Sequence, residues 1–305
     1  LIRFVLLALK GIRSERPSMH RPSSSLRLHV ACGQLVMQPG DIGHQLEQVN
    51  SLSAEASKAG ARLILFAEGA LHGYCLKPDI VAAALSPKDS AVQQLRQISR
   101  RHGLVIAVGA FEKANQKRYI SHFVVWPNGR VRVQRKHSLT PSEIHAGFSP
   151  GPIARTLFDV NGIRCAIAIC ADTGIEGLWN HLKQKGCQLC LIPTAGGTNR
   201  EDMRRPEDLD DPTLRTRYLK AMEKVCFLGE ALLRCRDLGI AMMATNLAGD
   251  DGIAKYHPGH SSIVDSRGCL VAMHPGEYVA DFLRPVMIHG EVIVRPRPIR
   301  PLSTR

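Results

Sequence analysis

Aromatic residues are scarce in this chain, at 5% of 305 residues. Nucleic-acid recognition by base stacking therefore has little to work with. No apolar run approaches the ~20 residues that cross a bilayer as a helix. No low-complexity segment interrupts the body. With 44% hydrophobic and 22% charged residues, the composition excludes a disordered or collagen-like chain. Cys187 and Cys190 form a lone Cys-x-x-Cys with neither a second pair nor suitably spaced His, which argues against zinc. Within GCQLCLIP they read as two core thiols. Nine Cys at irregular spacing, in a chain long enough to do without staples, predict reduced thiols and a cytoplasmic setting.

One sign of charge dominates, with a net charge of +13. Its location matters more than its size. Residues 1–27 hold six basic side chains and one acidic, and residues 284–305 hold five Arg and one Glu. The excess sits at the two ends, so neither nucleic acid nor a membrane surface is predicted as partner of the body. Residues 1–26, with a short FVLLAL run and a Ser/Pro/Arg-rich stretch, predict a disordered leader, with a degenerate export signal as the alternative. Residues 27–285 predict one domain. Residues 286–305 predict a basic, Pro/Arg-rich tail.

From Leu26 onward strands and helices alternate. Ile42, Leu46, Val49, Leu52 and Ala56 have helical spacing and predict a helix over 41–60. Val92, Leu95 and Ile98 predict another over 88–102, and a long helix is predicted over 213–238. ARLILFAE and CQLCLIPTA read as buried strands. Asn128-Gly129, Asn161-Gly162 and Arg267-Gly268 mark three hairpins. The charged stretch 199–212 reads as a solvated loop that overhangs a pocket or a partner subunit. The mixture implies an α/β fold of mixed sheets covered by helices.

Three polar residues end apolar strands: Glu68 after LILFA, Lys136 after VRVQR and Cys170 after CAIAI. Functional groups gather beyond the carboxyl ends of strands in such sheets. A carboxylate, an ammonium and a thiol there would supply a base, an oxyanion stabiliser and a nucleophile. Taken singly, each has a duller explanation as a buried thiol or a charge reaching water. Cys165, five residues before Cys170, predicts a core thiol on the opposite strand face. His257 and His260 have His-x-x-His spacing but lack acidic partners, and predict surface or hydrogen-bonding histidines.

Three blocks resemble the nitrilase, or carbon–nitrogen hydrolase, superfamily: FAEGALHGY, RKHSLTPSEIHAGFSPG and GIRCAIAICAD, in that order. The resemblance runs from about residue 28 to 275. It implies a four-layer α-β-β-α sandwich of nitrilase type, paired into a homodimer or larger homo-oligomer. It implies Cys170 as nucleophile, Glu68 as general base, Lys136 and the Ala171 N–H as oxyanion stabilisers, and Glu143 as a second glutamate orienting the substrate. Tyr74, Thr194, Ala195 and Asn246 are expected to line or brace the pocket. The implied reaction is hydrolysis of a small amide or N-carbamoyl compound through a thioester, without metal or organic cofactor. A non-catalytic scaffold, nitrile hydrolysis and amide transfer are the alternatives. Thr173-Gly174-Ile175-Glu176 departs from the family's usual turn after the nucleophile, where a large residue and Pro-Glu are common.

Overall fold

A computed structural model describes residues 26–199, 213, 234, 236–274 and 284–296. The predicted leader, the charged loop after Asn199 and nearly all of the helix predicted over 213–238 lie outside the described residues.

The first half supplies five strands of a six-stranded sheet. β1 (Leu26–Gln34), β2 (Leu63–Phe66) and β3 (Val105–Ala114) run parallel at its centre, followed by antiparallel β4 (Lys117–Val125) and β5 (Val131–Arg135). The second half repeats the plan. After β6 (Phe158–Val160) come parallel β7 (Ile163–Ile167), β8 (Leu189–Pro193) and, after a two-residue β9 (Thr198–Asn199), β10 (Ala241–Thr245). β13 (Ser261–Val264) and β14 (Leu270–Met273) complete this sheet. Between them β11 (Ala248–Asp250) and β12 (Lys255–Pro258) join β9 in a small separate sheet.

The expected layers follow from which faces are apolar. Val30, Leu65 and Ala107 of the first sheet meet Ile167, Leu191 and Met243 of the second in a buried seam. The first sheet's other face carries Ile64, Phe66 and Val108. It is covered by α1 (Ile42–Lys58) through Leu46, Val49 and Leu52, and by α3 (Ser90–His102) through Val92, Leu95 and Ile98. The second sheet's outer face packs on α5 (Leu178–Gln184) through Leu178, Trp179 and Leu182. Two short helices, α2 (Pro78–Ala82) and α4 (Pro141–His145), sit near the sheet ends. Asp41 caps α1 by accepting from His44 N, and Gly103 ends α3 at φ +64°. The result is a four-layer α-β-β-α sandwich.

The predicted C-terminal tail is corrected. Residues 286–294 form β15 (Val286–Val294), which pairs antiparallel with β1 from Leu26↔Val294 to Gln34↔Val286. The segment alternates with period two. Ile288, Val292 and Val294 enter the seam while His289 and Glu291 face water. Flanking Arg-Pro pairs and two polar residues in the middle disguise it in the sequence. The domain therefore extends to at least Val294.

Candidate active site

Glu68 leaves the end of β2, and its N–H donates to Thr194 O at the end of β8. Gly109 of β3 presses on this turn: a Cβ there would lie 2.4 Å from both Ala67 O and Gly69 N. No larger residue fits without displacing the Glu68 backbone. Lys136 follows β5 and is held by N–H donation to Ile120 O and by accepting from Gly151 N. Glu143 is the third residue of α4. Thr140 caps this helix, its Oγ1 accepting from Glu143 N while Glu143 Oε2 accepts from Thr140 N at 2.7 Å. That reciprocal cap leaves Glu143 Oε1 turned inward.

The three charges meet without solvent. Lys136 Nζ lies 2.8 Å from Glu68 Oε1 and 2.5 Å from Glu143 Oε1, with all three side chains fully buried. Tyr74 OH also donates to Glu143 Oε1. The Cys170 thiol lies beside the Glu68 carboxylate. Cys170 ends the β7 segment at φ +48°, a left-handed conformation that is costly for a non-glycine residue and marks functional turns. A short 3₁₀ turn, Cys170–Gly174, follows. The positive φ also takes Cys170 out of strand alternation. Cys165 is a core thiol as expected, yet it shares the inter-sheet seam with Cys170 instead of facing away.

Burial governs the proton affinities. It raises Glu68 to about 7, with Lys136 opposing and Glu143 adding to the rise. Burial, then the Glu68 charge, pushes the Cys170 thiol up to about 12. Burial alone would lower the proton affinity of Lys136, but Glu68, Cys170 and Glu143 outweigh it and hold the ammonium above its ordinary value. Tyr74 is raised well above the usual phenol by burial and by Glu68 and Glu143. At neutral pH the thiol keeps its proton beside a carboxylate able to take it.

The other expected residues fall into two groups. Tyr74, Ala171 and Ala195 line an open cleft of about 1220 Å³ with Cys170 at its base. The Ala195 backbone lies close enough to the Cys170 thiol to act on its proton affinity. Thr194 and Asn246 brace the cleft from behind. Thr194 Oγ1 donates to Thr245 O at 3.1 Å, and Asn246 Nδ2 donates to Gly196 O at 3.0 Å. The histidine expectation needs correction: His257 and His260 are buried, and His257 faces the cleft. Among the described residues no cluster of three His, Cys, Asp or Glu is placed to hold a metal ion.

Two further residues brace the site. Asp172 is fully buried and accepts from the N–H groups of His137 and Ser138, at 3.0 and 2.8 Å. It ties the turn after Cys170 to the segment after Lys136. Arg155 pairs with it at 3.3 Å. Asp172 lies two residues after Cys170 in the sequence, which is a usable signal. Arg155 lies in a loop with no local sign of its role.

The carbon–nitrogen hydrolase family model matches residues 29–278. The chain belongs to the carbon–nitrogen hydrolase family, whose enzymes act on carbon–nitrogen bonds other than peptide bonds. Among curated members of this family it is similar to an (R)-stereoselective amidase from Pseudomonas sp., 29% identical over 160 residues. That match covers 52% of this chain and 57% of the relative. An N-carbamoylputrescine amidase from Arabidopsis thaliana is 24% identical over 79% of this chain and 78% of its own. Among solved structures of the family, a Cys-to-Ala mutant of the amidase from Nesterenkonia sp. AN1 with butyramide superposes at TM-score 0.67 and 22% identity. The match covers 87% of this chain and 90% of that one. A Glu-to-Leu mutant of the same amidase, showing covalent addition of the acetamide moiety of fluoroacetamide at its active-site cysteine, gives TM-score 0.68 at 22% identity. Here 89% of this chain and 92% of that one are covered. These likenesses establish the nitrilase fold for this carbon–nitrogen hydrolase.

Proposed function

We propose that this chain hydrolyses a small amide or N-carbamoyl compound through a Cys170 thioester. The observation that carries the reading is the dry Glu68–Lys136–Glu143 cluster with the Cys170 thiol against Glu68. A structural role alone does not call for such a cluster, because burying three charges is costly.

Each group has one task. Glu68 takes the thiol proton as sulfur bonds to the carbonyl carbon. Lys136 and the Ala171 N–H stabilise the oxygen that becomes negative. Glu68 returns the proton to the departing nitrogen, the C–N bond breaks, and ammonia or an amine leaves. Water then adds to the thioester, giving its proton to Glu68, and the acid departs as the proton returns to sulfur. Glu143, held by its helix cap and Tyr74, orients the substrate nitrogen. A homo-oligomer working in the cytoplasm belongs to the same proposal.

Ammonia release from a panel of amides, N-carbamoyl amino acids and nitriles tests it, with intact mass to detect an acyl adduct. Release that disappears in Cys170→Ala is the expected result. No release and no adduct with any compound would turn the reading toward a non-catalytic binding protein.

A further inference from the structure

His257 lies on β12 in the cleft wall and is 1% exposed. Neither ring nitrogen has a hydrogen-bond partner among the described residues. An unpartnered buried polar group is costly, and buried polar side chains are nearly always paired. The ring is nevertheless held in place. Tyr74 meets it edge-on, with centroids 6.0 Å apart at 72°. On another side is Gly197, where a Cβ would come within 3.1 Å of the ring. Both neighbours lead to the chemistry. The Tyr74 hydroxyl is engaged with Glu143, and Ala195, two residues before Gly197, touches Cys170.

Burial lowers the imidazole to about 4, so at neutral pH it carries one N–H and one lone pair. The Asp251 charge and the nearby Gly196 carbonyl both act electrostatically on the ring, although neither reaches hydrogen-bond geometry with it. The tautomer that turns its N–H toward them leaves the other nitrogen as an acceptor for a ligand. We propose that His257 determines specificity by accepting a hydrogen bond from a donor, hydroxyl or ammonium, carried by the substrate beside the scissile bond. The proposal rests on the thiol hydrolase reading and narrows its substrate class. Asp251 favours an ammonium, while Lys255, also in the cleft wall, favours a hydroxyl.

Three amides of matched shape test it: propanamide, 2-hydroxypropanamide and 2-aminopropanamide. Wild type should favour at least one donor-bearing amide over propanamide by about tenfold in kcat/KM. His257→Phe, which keeps an aromatic ring between Tyr74 and Gly197, should bring that ratio close to one. His257→Gln, which keeps an acceptor, should restore part of it. Thermal melting checks that each variant folds. The hydroxy and amino arms decide which donor is read. A wild-type ratio of one or less overturns the proposal without any variant, and so does a ratio unchanged in His257→Phe. Calorimetric binding of the same amides to Cys170→Ala separates this from failure of the hydrolase reading. Preferential binding without turnover in wild type would sink the hydrolysis and support the His257 contact. Equal binding of all three amides would sink the contact.

Discussion

Asp172 and Arg155 form an ion pair with no solvent exposure on either side chain, Oδ2 and Nη2 lying 3.3 Å apart. The pair anchors the short turn that begins at Cys170, the proposed nucleophile. Asp172 spends its other oxygen on the two N–H groups that follow Lys136. One carboxylate thus links the Cys170 turn, the Lys136 segment and the loop carrying Arg155.

Arg155→Leu should leave Asp172 charged, buried and uncompensated, at a cost of about 3–5 kcal/mol. The urea midpoint is expected to fall sharply. Adding Asp172→Asn to that variant should recover part of the loss, because the orphaned charge is gone. If the double variant were less stable than Arg155→Leu alone, the buried charge would not be the cause.

Glu68 gives two opposite pH dependences. In its proposed role as base it must be ionised, and burial raises it from 4.5 to about 7. kcat/KM for a neutral amide should therefore fall about tenfold per pH unit below 7 and level off above it. Stability moves the other way. The folded protein holds this proton more tightly than the unfolded chain does between pH 4.5 and 7. The contribution is complete below 4.5 and is lost as pH rises through 7. Urea unfolding of wild type against Glu68→Gln at pH 5 and pH 7.5 should show wild type losing ground at the higher pH.

Thr140 acts on the site through Glu143. Thr140→Ala removes one half of the reciprocal cap and should cost about 1 kcal/mol. It should also loosen Glu143 beside Lys136 and Tyr74, raising KM for the amide. Thr140→Ser keeps the acceptor and should behave nearly as wild type in both measurements. Equal damage from Ala and Ser would point to the lost methyl group instead of the cap.

The last strand should prove essential to folding. Val292→Ala opens a gap in the inter-sheet seam, where Val292 is fully buried, and should cost roughly 2 kcal/mol. Removing residues 284–305 takes β15 away from β1 along its whole length. It also leaves an apolar edge open to pairing with other chains. Circular dichroism and size-exclusion chromatography should find little folded monomer.

Local chemistry makes much of this molecule legible in its sequence. Apolar spacing of 3.6 located α1 and α3 within two residues, because a helix shows its buried face as a periodic stripe. Asn-Gly and Arg-Gly pairs located the hairpins, since few residues tolerate a positive φ. Glu68, Lys136 and Cys170 are legible because each ends an apolar strand, while Glu143 enters only through the family resemblance. β15 was missed because its inward residues are spaced by His289, Gly290 and Glu291, whose outward or contact roles exist only once β1 is alongside.

What the sequence by itself determined was therefore local: element types, turns, and which residues could carry a proton or attack a carbon. Only the tertiary structure decided which of them meet. Lys136 lies 68 residues from Glu68, and only the pairing of β2 through β5 in one sheet, with the packing around its end, brings them within 2.8 Å away from water. The same holds for Arg155 and Asp172, and for the seating of His257 against Tyr74. Desolvation and Coulomb attraction act through space, so proton affinities and unpaired polar atoms are properties of the assembled neighbourhood. The chain order of residues does not contain them.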